Sequence, residues 1–142
     1  MIEFAATSPR VDVATAEYQR LLGYPRDWVL EERASELAAA ARAWYACHGR
    51  PWIYSRPAAS FEIAGDGIHI DGVAFASERL QTMLHHAEAE SVFLVAVSAG
   101  PELEREAQKL WLEEKPDEYF FLEVFGSAVV EHLITMKGAE LC

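Results

Sequence analysis

The chain has 142 residues, enough for one domain with a single sizeable core. Acidic residues outnumber basic ones by 23 to 12, for a formal charge of -11. This charge argues against a nucleic-acid or anionic-membrane surface, since both need clustered Lys and Arg. It suits a partner with a basic face or a cationic ligand. We expect a cytoplasmic protein, because the N-terminus carries no signal pattern and no run approaches the ~20 apolar residues of a membrane span.

The first third of the chain predicts two helices after an extended lead-in. Residues 2–5 favour a short strand, and Asp12 is a candidate N-cap for a helix over residues 13–22. Alanine-rich residues 28–47 repeat their apolar side chains at helical spacing, which predicts a second and longer helix.

Beyond residue 51 the apolar pattern changes to a period of two, which predicts strands at residues 52–55, 61–64 and 68–70, and a continuous apolar run predicts a fourth strand at residues 92–98. The tight turn at residues 65–67 gives the strongest hairpin signal, so its two flanking strands are expected to be antiparallel. A further turn at residues 71–72 leads to a helix that Ser77 caps. The last strand is continuously apolar, which indicates burial on both faces. All four strands are expected to share one sheet.

Two more helices complete the chain, each opened by a proline, Pro101 and Pro116. The second is apolar in nearly every direction, which predicts a position in the middle of the core. Its expected buried residues are Phe121, Val124, Phe125, Ala128 and Val129. Gly126 and Ser127 lower its helix propensity, so we expect a neighbouring backbone to pass close to them. The prediction is one α+β domain over residues 1–142, with a mixed, mostly antiparallel sheet of about four strands packed with helices.

One polar stripe interrupts this apolar helix. Glu123, Ser127 and Glu131 follow one another at i, i+4 and i+8, which places them on one side of the helix. The stripe either faces solvent or carries a carboxylate beside a ligand cleft. Sequence periodicity alone does not choose between these two interpretations.

No other segment predicts chemistry. His85 and His86 are adjacent and point about 100° apart on a helix, so they do not form a usual metal site. Cys47 and Cys142 are isolated, which predicts neither a zinc knuckle nor a disulfide framework. No nucleophilic triad or phosphate loop is present in the sequence. We therefore expect no catalytic residue and no metal ligand.

Four segments, in order, resemble the reactivation domain of cobalamin-dependent methionine synthase, and most closely its short free-standing relatives. They are residues 10–25, 65–80, 92–111 and 117–133, with the sequences RVDV through RLLGYP, GDGI followed by SERL, VFLVAVSAGPELEREAQKLW and DEYFFLEVFGSAVVEHL. Together they span nearly the whole chain from about Arg10 to Leu141.

The resemblance implies a role in reductive remethylation of an oxidised corrinoid, for which the family domain supplies S-adenosylmethionine. The family's cofactor-contacting glutamate falls on Glu131, with Ser127 and Glu123 beside it on the stripe. The Arg-x-x-x-Gly-Tyr segment that binds most of this cofactor does not occur before Cys142. The resemblance therefore implies weak S-adenosylmethionine binding at most, in a chain that is not an enzyme by itself.

Cobalamin is expected only through a partner, either a corrinoid-binding protein or a methionine synthase that lacks its own reactivation domain. The alternative is a non-catalytic binding or scaffold protein that keeps the fold and has lost S-adenosylmethionine binding. No nucleic-acid or membrane partner is expected.

Overall fold

The computed structural model describes residues 3–65 and 67–142, and it confirms the α+β class. Five helices are present in this part of the chain: α1 (Thr15–Leu22), α2 (Glu32–His48), α3 (Glu78–His86), α4 (Pro101–Leu112) and α5 (Pro116–Leu141). Its six strands are β1 (Phe4–Ala6), β2 (Trp52–Pro57), β3 (Phe61–Ala64), β4 (Gly67–Ile70), β5 (Val73–Phe75) and β6 (Phe93–Ser98).

The chain divides into two compact units. We call residues 6–53 and 97–142 the helical unit, because they contain α1, α2, α4 and α5. Residues 1–5 and 54–96 form the sheet unit, whose described part contains β3, β4, β5 and α3.

Helix α5 is the centre of the helical unit and contacts α1, α2 and α4. Four of its five predicted core residues are buried, namely Phe121, Phe125, Ala128 and Val129, whereas Val124 is half-buried. Gly126 faces Leu103 of α4, and an added Cβ would lie 2.9 Å from the Leu103 Cδ1 atom. The close neighbour of this glycine is thus a side chain, and the prediction of a passing backbone is wrong. Ser127 is exposed.

Within the described residues, α5 is also the one helix long and apolar enough to cross a membrane by length and composition. This differs from the expectation that no run approaches a membrane span. Only 39% of its most apolar window is buried, yet three helices of the same unit pack against it. A core helix of a water-soluble protein has the same composition, because its side chains contact other helices instead of lipid.

The strands form two three-stranded sheets, in the orders β1-β2-β6 and β3-β4-β5. The prediction that all four expected strands share one sheet is therefore wrong, since β2 and β6 belong to one sheet and β3 and β4 to the other. Strand β6 is half-buried for most of its length and has an exposed residue, so it is not covered on both faces. The continuously apolar sequence of this strand therefore predicted more burial than the structure has.

The predicted antiparallel hairpin between β3 and β4 is confirmed, with Ile63 opposite Ile68. Its turn residue Asp66 lies outside the described residues. Strand β4 then pairs with β5 through a two-residue turn, Asp71-Gly72, in which both residues have positive φ, 50° and 80°. Two positive φ angles are the mark of a type I′ turn, whose twist matches that of a hairpin.

Two predicted helix starts are displaced. Helix α1 begins at Thr15 with Ala14 as its N-cap, so Asp12 does not cap it. Helix α2 begins at Glu32 instead of near residue 28; a turn in which the Trp28 backbone N–H donates to the Pro25 carbonyl occupies the start of the predicted helix. The predicted cap Ser77 is confirmed, since its hydroxyl accepts the Leu80 N–H at the start of α3.

Candidate functional site

The predicted polar stripe lies on α5 but does not form one cluster. Glu123 is half-buried, whereas Ser127 and Glu131 are exposed. The Ser127 hydroxyl donates to the Glu123 backbone carbonyl at 3.4 Å, which is a side-chain-to-backbone bond and does not join the two side chains. Of the three residues, Glu131 is the one that adjoins both a cleft and a second helix.

A cleft of 370 Å³ lies beside Glu131 within the helical unit. Its walls are the segment before α1, the first turn of α1 and one face of α5; they comprise Asp12, Val13, Ala14, Glu17, Ala128, Glu131, His132 and Thr135. Three of these side chains are carboxylates, and none is Lys or Arg. The volume is at the lower end of the range for small-molecule sites. The cleft is therefore suited by charge to a positively charged group.

Arg20 bridges two of these carboxylates. Its Nη2 atom lies 2.8 Å from a Glu131 oxygen on α5 and 3.1 Å from a Glu17 oxygen on α1. Both carboxylates raise the pKa of Arg20, Glu17 more than Glu131. All three side chains are about half exposed to solvent. Exposed ion pairs of this kind contribute about 0–1 kcal/mol each, so the bridge is readily exchanged for another cation.

A hydrogen bond holds the segment before α1 against α5. The Asp12 backbone N–H donates to Nε2 of His132 at 3.3 Å. Because Nε2 accepts this bond, the neutral imidazole carries its proton on Nδ1. The bond thereby orients the ring at the cleft wall.

The α1 side of this cleft was not predicted from the sequence. The i, i+3 spacing of Glu17 and Arg20 is typical of an ion pair on a helix surface, and this spacing could have predicted their contact. The bond from Arg20 to Glu131 joins residues 111 positions apart, and no local pattern predicts such a contact.

Among the described residues, the His and Cys side chains considered from the sequence do not form a metal site or a catalytic site. In residues 3–65 and 67–142, no group of three or more His, Cys, Asp or Glu side chains could hold a metal ion. Cys47 and Cys142 are free and exposed. Neither supplies a ligand set or a paired nucleophile.

Comparison with known proteins found no family model that matches the chain and no curated protein that matches it. The resemblance to the reactivation domain of methionine synthase therefore rests on the order and spacing of the four sequence segments.

Proposed function

We infer that this chain is a cytoplasmic, non-catalytic accessory module of a corrinoid-dependent methyl-transfer system, with a weak S-adenosylmethionine site at the Glu131 cleft. The corrinoid itself belongs to a partner, which is a corrinoid-binding protein or a methionine synthase without its own reactivation domain. The four ordered segments support the assignment to this system. The cleft supports the assignment of the ligand.

One observation carries the proposal. Glu131, which the motif order aligns with the cofactor-contacting glutamate, has an exposed carboxylate on a cleft with two further carboxylates. S-adenosylmethionine carries a sulfonium and an α-ammonium group. Carboxylates attract both, and the attraction is stronger in a partly dry cleft than in bulk water.

We expect residues 1–142 by themselves to bind S-adenosylmethionine weakly. No Arg-x-x-x-Gly-Tyr segment occurs among these residues, so they do not make the two or three hydrogen bonds to charged groups that the resemblance assigns to it. Each contributes about 1.5–3 kcal/mol, so affinity falls by several powers of ten. The ligand must also take the place of Arg20 at Glu131, although this exchange costs little because the ion pair is exposed and screened by solvent.

The test is calorimetric titration of S-adenosylmethionine into the chain, with and without a corrinoid protein from the same organism. We expect a Kd near 1 mM or higher for the chain alone and tighter binding with the partner. Glu131→Gln keeps the shape, removes the charge and should weaken binding about tenfold, while Glu123→Gln should weaken it less. Glu36→Gln, an exposed control on α2, should leave it unchanged. Micromolar binding that is indifferent to Glu131→Gln would refute the proposed site.

A scaffold protein that has lost the ligand is the second candidate, and the Arg20 bridge favours it. Arg20 already forms an ion pair with the Glu131 carboxylate, as expected of a former ligand site in which a side chain of the protein replaces the ligand's cation. Arg20→Ala frees this carboxylate, and its effect on binding distinguishes between the two proposed functions. Stronger S-adenosylmethionine binding by this variant supports the accessory module. Undetectable binding by the wild type and the variant, even with the corrinoid partner, supports the scaffold.

A further inference from the structure

A second cleft, of 170 Å³, lies between three helices of the helical unit and shares no residue with the Glu131 cleft. Helix α2 lines it with Leu37, Ala40, Ala41 and Trp44, α4 with Glu106 and Leu110, and α5 with Glu118 and Leu122. An apolar cavity of roughly 150 Å³ is large enough for one benzene ring. The cleft therefore accommodates a single small ring or a short branched chain.

The sequence explains why this space is open. Each of α4 and α5 presents a glutamate and then a leucine four residues later, so both side chains lie on the same helix face. Opposite them, α2 places two alanines, Ala40 and Ala41, where larger side chains would fill the gap. The result is an apolar floor with carboxylates at its wall.

The charge of this wall is one-sided. Glu106 and Glu118 are its charged side chains, and no Lys, Arg or His lines the cleft. Glu106 is half-buried, and no ion pair to it is present in the part of the chain that the structure describes. Among the described residues, Glu118 has one ion pair, with Arg33 at 3.8 Å, and that guanidinium is mostly exposed. Glu106 also lines a neighbouring cleft with Arg105 and Lys109, but neither forms an ion pair with it among the described residues. Partial burial strengthens the attraction between such a carboxylate and a charged ligand.

The indole of Trp44 adds a further preference for a cation. It is half-buried at the cleft and stacks against His48, with ring centroids 5.1 Å apart. Cations are attracted to aromatic faces, and Trp is the strongest of the aromatic side chains in this respect.

We propose that this cleft binds a small organic cation, namely an ammonium group attached to one apolar ring or short branched chain. The ring occupies the floor that Leu37, Ala41 and Leu122 form. The ammonium group lies at Glu106 and Glu118, beside Trp44. This site does not depend on the function proposed above, because the two clefts share no residue.

The first experiment measures ligand charge at constant shape. Benzylammonium, benzyl alcohol and benzoate are titrated separately into the ¹⁵N-labelled chain and followed by amide chemical shifts. We expect benzylammonium to bind at least tenfold more tightly than benzyl alcohol, with shifts on α2, α4 and α5, and benzoate not to bind. Equal binding of the ammonium and the alcohol, or shifts spread over the whole chain, would overturn the proposal.

The second experiment locates the site with variants. Glu106→Gln should weaken benzylammonium binding about tenfold, whereas Glu104→Gln, an exposed neighbour on α4 outside the cleft, should not. Ala40→Leu fills the cleft from an exposed helix position and should abolish binding while the circular dichroism spectrum stays unchanged. Glu131→Gln should leave benzylammonium binding intact, which keeps this test separate from that of the S-adenosylmethionine site. Equal effects of Glu106→Gln and Glu104→Gln, or unaltered binding by a folded Ala40→Leu variant, would refute the site.

Discussion

At the scale of single residues, buried polar groups join segments that are distant in sequence. The Tyr18 hydroxyl on α1 donates to the Phe121 carbonyl on α5 at 2.8 Å. Burial raises the pKa of Tyr18 more than the nearby Arg42 lowers it, so the phenol stays protonated and remains a donor. This bond fixes the position of α1 against the central helix.

Removal of that hydroxyl should cost a modest amount of stability. Tyr18→Phe keeps the ring, and we expect it to lower the free energy of unfolding by about 0.5–1.5 kcal/mol, the usual contribution of one hydrogen bond. Tyr24→Phe is the control, since no hydrogen bond of its hydroxyl is present among the described residues. Urea denaturation measures both, and equal losses would show that the bond to Phe121 contributes nothing specific.

Asp71 is the second polar residue with a defined structural role, in the turn between β4 and β5. Its carboxylate accepts the Ser60 backbone N–H at 2.9 Å and an Arg56 guanidinium N–H at 2.7 Å. These two bonds, the one from Ser60 first, lower the pKa of Asp71 below its ordinary value. The charged form is therefore the one that the folded sheet unit stabilises.

Asp71→Asn should reduce stability at neutral pH and have less effect in acid. Asparagine tolerates the positive φ of this position, so the change mainly removes the charge. Because the folded-state pKa is lowered, the contribution of Asp71 is present above the unfolded value of about 3.9 and disappears as the pH falls through the folded value. The difference from wild type should thus be measurable at pH 7 and shrink below about pH 4. Asp27→Asn, an exposed control, should give no such dependence, and a difference that grows in acid would contradict the prediction.

At the scale of elements, α5 contributes more buried apolar residues to the core of the helical unit than any other helix. The Phe125 ring packs edge-on against the Tyr18 ring, with centroids 5.0 Å apart. It also packs at a tilt against the Tyr45 ring, with centroids 5.5 Å apart. The Arg42 guanidinium lies over the same ring at 5.3 Å. Phe125 thus joins α1, α2 and α5 at one point.

Truncation of Phe125 should therefore be severe. We expect Phe125→Ala to lower the free energy of unfolding by about 3–5 kcal/mol, the usual loss for a core aromatic residue. Phe120→Ala is the matched control on the same helix, since this ring is 47% exposed, and it should cost about 1 kcal/mol or less. A loss below about 1 kcal/mol for Phe125→Ala would place the helix at the periphery.

At the scale of the whole molecule, the apolar core is unevenly distributed. Among the described residues, every buried apolar side chain except Ile68 belongs to the helical unit. The sheet unit depends on backbone pairing and on polar bonds such as that of Asp71. Few buried apolar contacts mean that a region opens at a low free energy.

The two units should consequently differ in amide exchange. We expect the amides of β3, β4 and β5 to exchange through openings of lower free energy than those in the middle of α5. Native-state hydrogen exchange at increasing denaturant measures both sets in one sample. If the amides of both units instead had the same opening free energy, equal to that of global unfolding, residues 1–142 would form one cooperative domain, as the sequence predicts.

The sequence by itself determined the local features: the α+β class, the cap at Ser77, the β3–β4 hairpin and the burial of four of the five predicted core residues of α5. These depend on residues close together in the chain, because caps, turns and periodicity act over a few positions. The displaced start of α2 shows the limit of this reasoning, since residues 25–28 form a turn and the helix begins only at Glu32.

Only the tertiary structure decided how the strands divide into sheets and which residues line the two clefts. The period-two pattern is the same in either sheet, so it does not identify the partner of a strand. The bond between Arg20 and Glu131 closes a loop of 111 positions, and its formation depends on how α1 packs against α5. The sequence placed Glu131 on a polar stripe, and packing placed a cleft, an arginine and two further carboxylates beside it.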